Sequence, residues 1–157
     1  YSLGNTLTIG LASKSNAVAN IKKYGEFTLN IPCQEILNKV EIAGFHSGQN
    51  KIGMADITYD LGEKVDAPLL DECLLGIECR VEHIVEHVDY TNFIATIERR
   101  VICDEMLNED GSLNSRDFNP IYFMGDDKER IYRYFNSDTK KLGENMGCSA
   151  EDDSICG

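Results

Sequence analysis

Four consecutive residues, Ser13-Lys14-Ser15-Asn16, place two hydroxyls, an ammonium and an amide between an apolar stretch and a helical pattern. At a helix start the first N–H groups have no intrahelical partner and carry partial positive charge, so such a segment suits a phosphate monoester. The plainer role is an N-cap on a solvated helix. A second donor-rich run, His46-Ser47-Gly48-Gln49-Asn50-Lys51, follows the next helical pattern. Its glycine admits close backbone approach, and Ser47, Gln49, Asn50 and Lys51 add donors. Two such runs predict convergence of residues 13–16 and 47–51 on one small anionic ligand.

Other candidate chemistry is weaker. His83-Ile84-Val85-Glu86-His87 has the spacing of an inverted zinc-protease pattern, which needs a helix to gather its ligands. On a strand the two histidines stand about 13 Å apart and Glu86 points to the other face, so one zinc cannot reach all three. The run around Asn108, Asp110 and Gly111 has Met106 where a calcium loop needs its first oxygen ligand. Six cysteines, Cys33, Cys73, Cys79, Cys103, Cys148 and Cys156, lack the two-residue spacing of a zinc knuckle and read as buried thiols. A thiol redox function at Cys148 and Cys156, with Cys73 or Cys79 as relays, is disfavoured. No basic neighbour lowers the tail thiol pKa, and Glu151-Asp152-Asp153 would raise it. No metal site is expected, and no residue is assigned a catalytic role.

The 157 residues carry 15 Lys+Arg against 27 Asp+Glu, a formal net charge of -12. An acidic surface repels polyphosphate, and no basic cluster interleaved with aromatics offsets it, so nucleic acid is not an expected partner. Apolar runs fall well short of the roughly 20 residues that cross a bilayer, and no secretory signal pattern is present. A cytoplasmic protein with no membrane partner is expected. Hydrophobic residues at 42% with only 3 Pro fit one folded domain over residues 1–142, followed by an acidic, mobile tail over 143–157.

The elements that would position the donor runs follow from periodicity. Thr6 to Ala12 reads as a strand, and a helix over 16–24 starts at Ser15 or Asn16. Ala17, Val18, Ile21 and Tyr24 share one face of it, and Gly25 supplies a left-handed stop. Phe27 to Ile31 is a strand ended by Pro32. Cys33 to Ala43 is a second helix, with Ile36, Leu37, Val40 and Ala43 inward and Gly44 terminating it, before a polar loop. From Leu75 the β-branched content and alternation predict a long strand, with Glu78, Arg80, Glu82 and Glu86 on its polar face. Asp89 to Asn92 forms the turn, Phe93 to Cys103 the return strand, Asn108 to Asn119 a polar loop, and Ile121 to Met124 a short strand. The fold class is mostly β with helices, largely antiparallel, and long hairpins of this kind suit a closed barrel.

The order of these motifs resembles the flavin reductase-like family of flavoredoxin-type proteins. The matching segments are the strand with Ser-Lys-Ser-Asn, Gly25-Glu26-Phe27-Thr28-Leu29-Asn30-Ile31-Pro32 and Gly44-Phe45-His46-Ser47-Gly48. Asp66-Ala67-Pro68 with Leu70, Glu72-Cys73, Leu75 to Val81 and Pro120-Ile121-Tyr122 extend the match to about Leu142. Each motif alone is weak, and their order and spacing carry the specificity. The resemblance implies an FMN-binding split β-barrel that forms a homodimer and passes electrons from NAD(P)H through FMN to an acceptor. It maps the phosphate-binding turn onto Ala12, Ser13, Lys14, Ser15, Asn16 and Ala17. It maps the second loop onto Ser47, Gly48 and Gln49, with Asn50 and Lys51 beside them.

Six residues at four places depart from the family pattern. Ala12 and Gln49 stand where the family has arginines, Ile52-Gly53-Met54 replaces Asp-Lys-Phe, and Tyr90 replaces a histidine at the hairpin turn. Lys14 and Lys51 are the available cations, each a point charge without the arginine fork. The family's opening strands, which contact the flavin ring, are expected ahead of Tyr1 in a longer natural protein. The alternative to an active oxidoreductase is a flavin-binding or interaction module that has lost efficient turnover.

Overall fold

A computed structural model describes residues 2–46, 51–125, 129–135, 138 and 140. Five strands, β1 (Ser2–Leu3), β2 (Thr6–Ala12), β3 (Glu26–Pro32), β6 (Cys73–Glu86) and β7 (Tyr90–Ile102), form one antiparallel sheet in the order β1-β2-β7-β6-β3. Between β3 and β6 lie α2 (Leu37–Phe45), α3 (Lys51–Met54) and a small hairpin of β4 (Tyr59–Leu61) with β5 (Pro68–Leu70). A separate hairpin of β8 (Tyr122–Gly125) and β9 (Arg130–Arg133) closes the described chain. The sheet is a curled half-barrel whose edges, β1 and β3, do not pair with each other among the described residues. The expected closure is therefore not formed by these strands alone.

The core lies on one face of the sheet. Alternation along β7 turns Thr91, Phe93, Ala95 and Ile97 to that face, where Leu7, Phe27, Ile77 and Cys79 meet them. Helix α1 (Asn16–Tyr24) lays Val18 and Ile21 against this layer, at the i, i+3 spacing its sequence pattern calls for. Ser15 is its N-cap, accepting from the Val18 N–H at 3.3 Å, and Gly25 ends it at φ 72°, the left-handed conformation glycine adopts without steric cost. These elements match the expectation.

Three local readings need correction. The turn of the long hairpin lies at residues 87–89, because Tyr90 to Asn92 are drawn into β7 by pairing with Ala12 to Gly10 of β2. The second helix is split into a 3-10 turn, Gln34–Ile36, and α2, since Cys33 gives the segment no side-chain cap. Gly44 stays inside α2 rather than ending it. The helix stops one residue later, where the His46 N–H and its Nδ1 both reach the Ile42 carbonyl, at 3.2 and 2.9 Å. Beyond it, α3, β4 and β5 occupy part of what the sequence offered as a polar loop.

The polar face of β6 also differs from expectation. Glu78 is fully buried rather than solvated, covered by the segment between β4 and β5. Its Oε2 accepts from the backbone N–H groups of Lys64 at 2.6 Å and Val65 at 3.2 Å, and its Oε1 from Arg99 Nη1 at 3.0 Å. Burial alone would push this carboxyl up, yet the N–H donors of Lys64, Val65 and Glu63 and the Arg99 guanidinium outweigh it and hold the group below the usual carboxylate range. The cover needs a glycine, because a Cβ at Gly62 would lie 2.6 Å from Glu78 Oε2 and 2.7 Å from the Val65 carbonyl.

Candidate functional site

The chain leaves β2 through a tight turn in which the Ser15 N–H donates to the Ala12 carbonyl at 2.9 Å. The tip of the β6–β7 hairpin forms the wall beside it. There the Ser13 N–H donates to the Asp89 carbonyl at 2.9 Å, and Ser13 Oγ lies 3.0 Å from the hydroxyl of buried Thr91 and 3.5 Å from the His87 carbonyl. Ser13 thus faces the protein and fixes the turn against the hairpin. Ser15 Oγ accepts from Val18, which leaves its hydroxyl hydrogen to donate outward.

Lys14, Asn16 and Ala17 are exposed at the same place, and the first turn of α1 holds no acidic side chain. The opening N–H groups of α1 therefore present partial positive charge with no carboxylate in their own turn to neutralise it. Lys22 and Lys23 stand in the last turn, where they complement the opposite end of the helix dipole, and Lys22 pairs with Glu86. Ala12 is the register partner of Tyr90, so a methyl and an exposed phenol lie side by side at the rim of the turn.

The six predicted residues 12–17 form one continuous turn. Of the second run, Ser47, Gly48, Gln49 and Asn50 lie outside the described residues, His46 caps α2, and Lys51 opens α3 half-buried. Sequence reasoning missed the hairpin tip as part of the site. Thr91 is the residue that anchors Ser13, and the one signal for it was strand alternation running two residues earlier than Phe93. His83 and Glu86 are exposed on β6 and His87 lies past its end, which agrees with the strand reading of that segment.

The clefts around Tyr122, Cys33, Asp60 and Asn30 are lined by none of residues 12–17. One of about 350 Å³ gathers Cys33, Cys73 and Cys103 with Glu35, Glu72 and Asp117. Cys79 lies in the core, where burial pushes its thiol up to about 11. Cys33 and Cys73 are half-buried and Cys103 is exposed, which corrects the reading of these three as buried thiols, while Cys148 and Cys156 lie outside the described residues.

The sequence pattern of the flavin reductase like domain matches residues 3–138. The chain belongs to that family. Flavin reductase-like proteins of known structure share the curled sheet. A flavoredoxin of Desulfovibrio vulgaris (Miyazaki F) superposes with TM-score 0.78 at 27% identity, over 87% of this chain and 73% of its own. A flavoredoxin from Methanosarcina acetivorans gives 0.79 at 23% identity, over 90% and 76%. An FMN-binding protein from Thermus thermophilus gives 0.69 at 17% identity, over 87% and 72%, and these last two show the fold alone. Among curated sequences, an uncharacterised protein of Pyrococcus abyssi is 35% identical over 89 residues, 57% of this chain and 52% of its length. One of Methanothermobacter thermautotrophicus is 28% identical over 130 residues, 78% of this chain and 61% of its length. The chain spans about half to three-fifths of these two relatives. Membership of the family gives this chain the flavin reductase-like fold, the curled sheet it shares with the flavoredoxin of Desulfovibrio vulgaris.

Proposed function

We propose that this flavin reductase-like chain binds FMN without a covalent bond and passes electrons from NAD(P)H through it to an acceptor, as a cytoplasmic homodimer. The phosphate would sit at the turn of Ala12, Ser13, Lys14, Ser15, Asn16 and Ala17, with Ser47, Gly48, Gln49, Asn50 and Lys51 as the second contributing run. One observation carries this reading: a helix start whose N–H groups, Ser15 hydroxyl and exposed Lys14 all offer donors, with no acid in the first turn, in a chain of net charge -12. An anion is favoured there by the local field although the protein as a whole repels it.

The residues fit a phosphate monoester by this donor set. Ser13, tied to Thr91 and the Asp89 carbonyl, orients the turn. Ser15 holds the helix start in place and donates, and Lys14 adds a point charge from solvent. Bound flavin supplies the redox chemistry, and the protein supplies binding, orientation and access.

The test compares FMN with riboflavin. Purified protein should shift the absorbance of added FMN, bind riboflavin at least tenfold more weakly, and accelerate NAD(P)H oxidation over free flavin. Equal binding of the two flavins would overturn the phosphate assignment, and no acceleration would overturn the oxidoreductase reading.

The pairing of Ala12 with exposed Tyr90, where the family carries an arginine and a histidine, favours a second reading. It is a flavin-binding or interaction module without efficient turnover. Flavin that binds with the expected preference yet is not reduced by either nicotinamide donor would select it.

A further inference from the structure

Three cysteines far apart in sequence meet at the end of the sheet opposite the Ser13–Asn16 turn. Cys33 follows Pro32, the last residue of β3, and Pro32 is the register partner of Cys73, the first residue of β6, across an irregular step in the ladder. The Cys33 thiol lies 3.7 Å from the carbonyl of Glu72, the residue that precedes Cys73. Both thiols line the same cleft of about 350 Å³, open to solvent, and Cys103 reaches it from the end of β7, held there by its N–H on the Leu74 carbonyl at 3.1 Å. Their charged forms would sense each other directly.

We propose that Cys33 and Cys73 are a redox-active thiol pair that closes to a disulfide when the protein meets a hydroperoxide, and reopens with a dithiol reductant.

The reaction balances without a metal or a further co-reactant. The Cys33 sulfur attacks one peroxide oxygen, the O–O bond breaks, and Cys33 becomes a sulfenic acid with release of water or an alcohol. The Cys73 sulfur then attacks Cys33 Sγ, the S–O bond breaks, and a second water leaves. Two thiols have lost two electrons to one peroxide. Cys33 is placed first because it lies just outside the sheet, whereas Cys73 is held in β6, where burial, Cys33 and Glu72 push its thiol up to about 11. Burial and Glu35 raise Cys33 as well, so the first attack is slow at neutral pH.

The surroundings explain why the oxidised form is tolerated. Glu35, Asp71, Glu72, Glu105 and Asp117 line the cleft, and the cations near Cys73 are engaged by acids, Lys39 with Glu72 at 2.6 Å and Arg99 with Glu78 and Glu63 at 3.0 Å. Such a setting disfavours a thiolate but places no electrostatic penalty on a neutral disulfide. Nor does it supply the thiolate stabilisation that makes some disulfides strongly oxidising. The closed pair would fasten the start of the 3-10 turn and α2 to β6. Reduced flavins generate hydrogen peroxide with dioxygen, so the oxidant class is consistent with the proposed function, although the pair itself rests on geometry and not on flavin binding.

The experiment uses the full chain without flavin. Reduced protein is treated with hydrogen peroxide, free thiols are alkylated, and peptides are mapped by mass spectrometry. The expected product is a linked pair of peptides containing Cys33 and Cys73, two hydrogens lighter than the reduced pair and released by dithiothreitol. Its formation should speed up steadily from about pH 7 to about pH 9, as the thiolate fraction grows. Cys103→Ser should keep the link, while Cys33→Ser and Cys73→Ser should each abolish it. A link through Cys103 instead, or oxidation only to separate sulfinic acids in the parent protein, would overturn the assignment. Because no flavin is present, either result leaves the FMN reading to its own test.

Discussion

Ser15 does two things that are separable by substitution. Its side-chain oxygen accepts the Val18 N–H and so caps α1, and its hydroxyl hydrogen is the donor offered to an anion. Ser15→Ala removes both, so it should cost about 1 kcal/mol of stability and weaken FMN binding by about 1 to 3 kcal/mol. Ser15→Asp keeps the cap and strengthens the helix dipole, so the melting temperature should hold or rise. A carboxylate beside the phosphate should nonetheless lower FMN affinity by about tenfold or more, on the order of 1 to 4 kcal/mol of repulsion at contact distance. Thermal unfolding and flavin titration read the two effects separately, and a Ser15→Asp variant that binds FMN normally would remove the phosphate from this turn. Lys14→Ala should weaken binding in a salt-dependent way, by about 1 to 3 kcal/mol at low ionic strength and less at high, because its ammonium is exposed and unpaired among the described residues.

At the scale of elements, the buried Glu78 carboxylate ties the segment between β4 and β5 to the sheet, with Arg99 bridging it to Glu63 at 3.0 Å. The folded pKa of Glu78 lies below its unfolded value, so its contribution to stability is complete above the ordinary glutamate range and is lost as pH falls through the folded pKa. Glu78→Gln should cost about 2 to 3 kcal/mol at pH 7, less than a fully desolvated pair because Arg99 is one-third exposed, and should flatten the acid limb of the stability profile. Chemical denaturation at pH 7 and below pH 4 checks this, and an unchanged acid limb would show that Glu78 is not the group responsible. Gly62→Ala, which crowds the oxygen that accepts from Lys64 and Val65, should destabilise and weaken that pH dependence in the same direction as Glu78→Gln.

This latch was not legible in the sequence. Alternation along β6 correctly gave the strand and the side on which Glu78 lies, but what covers that side is contributed by residues 62–66, whose own pattern is short and aperiodic. The same limit hid α3, β4 and β5. In contrast, α1 carried cap, apolar stripe and glycine stop within eleven residues; cap and stop appear in place, and of the stripe Val18 and Ile21 are buried while Ala17 and Tyr24 are exposed. Of the candidate site, the turn at residues 12–17 was legible because helix capping is local. Its wall at the β6–β7 tip was not, because the Ser13–Thr91 contact joins residues 78 apart. The cleft cysteines were invisible for the same reason.

For the whole molecule, the β8–β9 hairpin is the part least explained by a single copy of the chain. It joins the body through the Ile121 N–H on the Pro32 carbonyl at 3.3 Å and the Phe135 N–H on Asn119 Oδ1 at 3.0 Å, while Tyr122, Phe123 and Phe135 remain more than half exposed. A two-stranded hairpin has little stability of its own in water, so such rings call for a cover. The opposite end of the long sheet presents a complement. Ile84, Val85 and Val88 are exposed at the β6–β7 tip beside Glu82, Glu86 and Asp89, whereas the β8–β9 hairpin carries Arg130 and Arg133. In the proposed homodimer a two-fold axis would seat each hairpin on the partner's tip, and with it beside the partner's phosphate turn. Truncating a central aromatic anchor typically costs about 2 kcal/mol or more, so Phe123→Ser should weaken the dimer by about thirtyfold, and Val88→Ser should do so to a lesser degree. The rim charges should make association weaker at high salt. Light scattering over a dilution series reads both effects, while near-unchanged thermal unfolding of the β2, β6 and β7 core would show that only the contact was lost. A Phe123→Ser protein that stays dimeric at the same dilution would place the interface elsewhere. If that variant instead falls apart and loses FMN together with its partner, the hairpin is part of the flavin site, and neither copy holds a complete one alone.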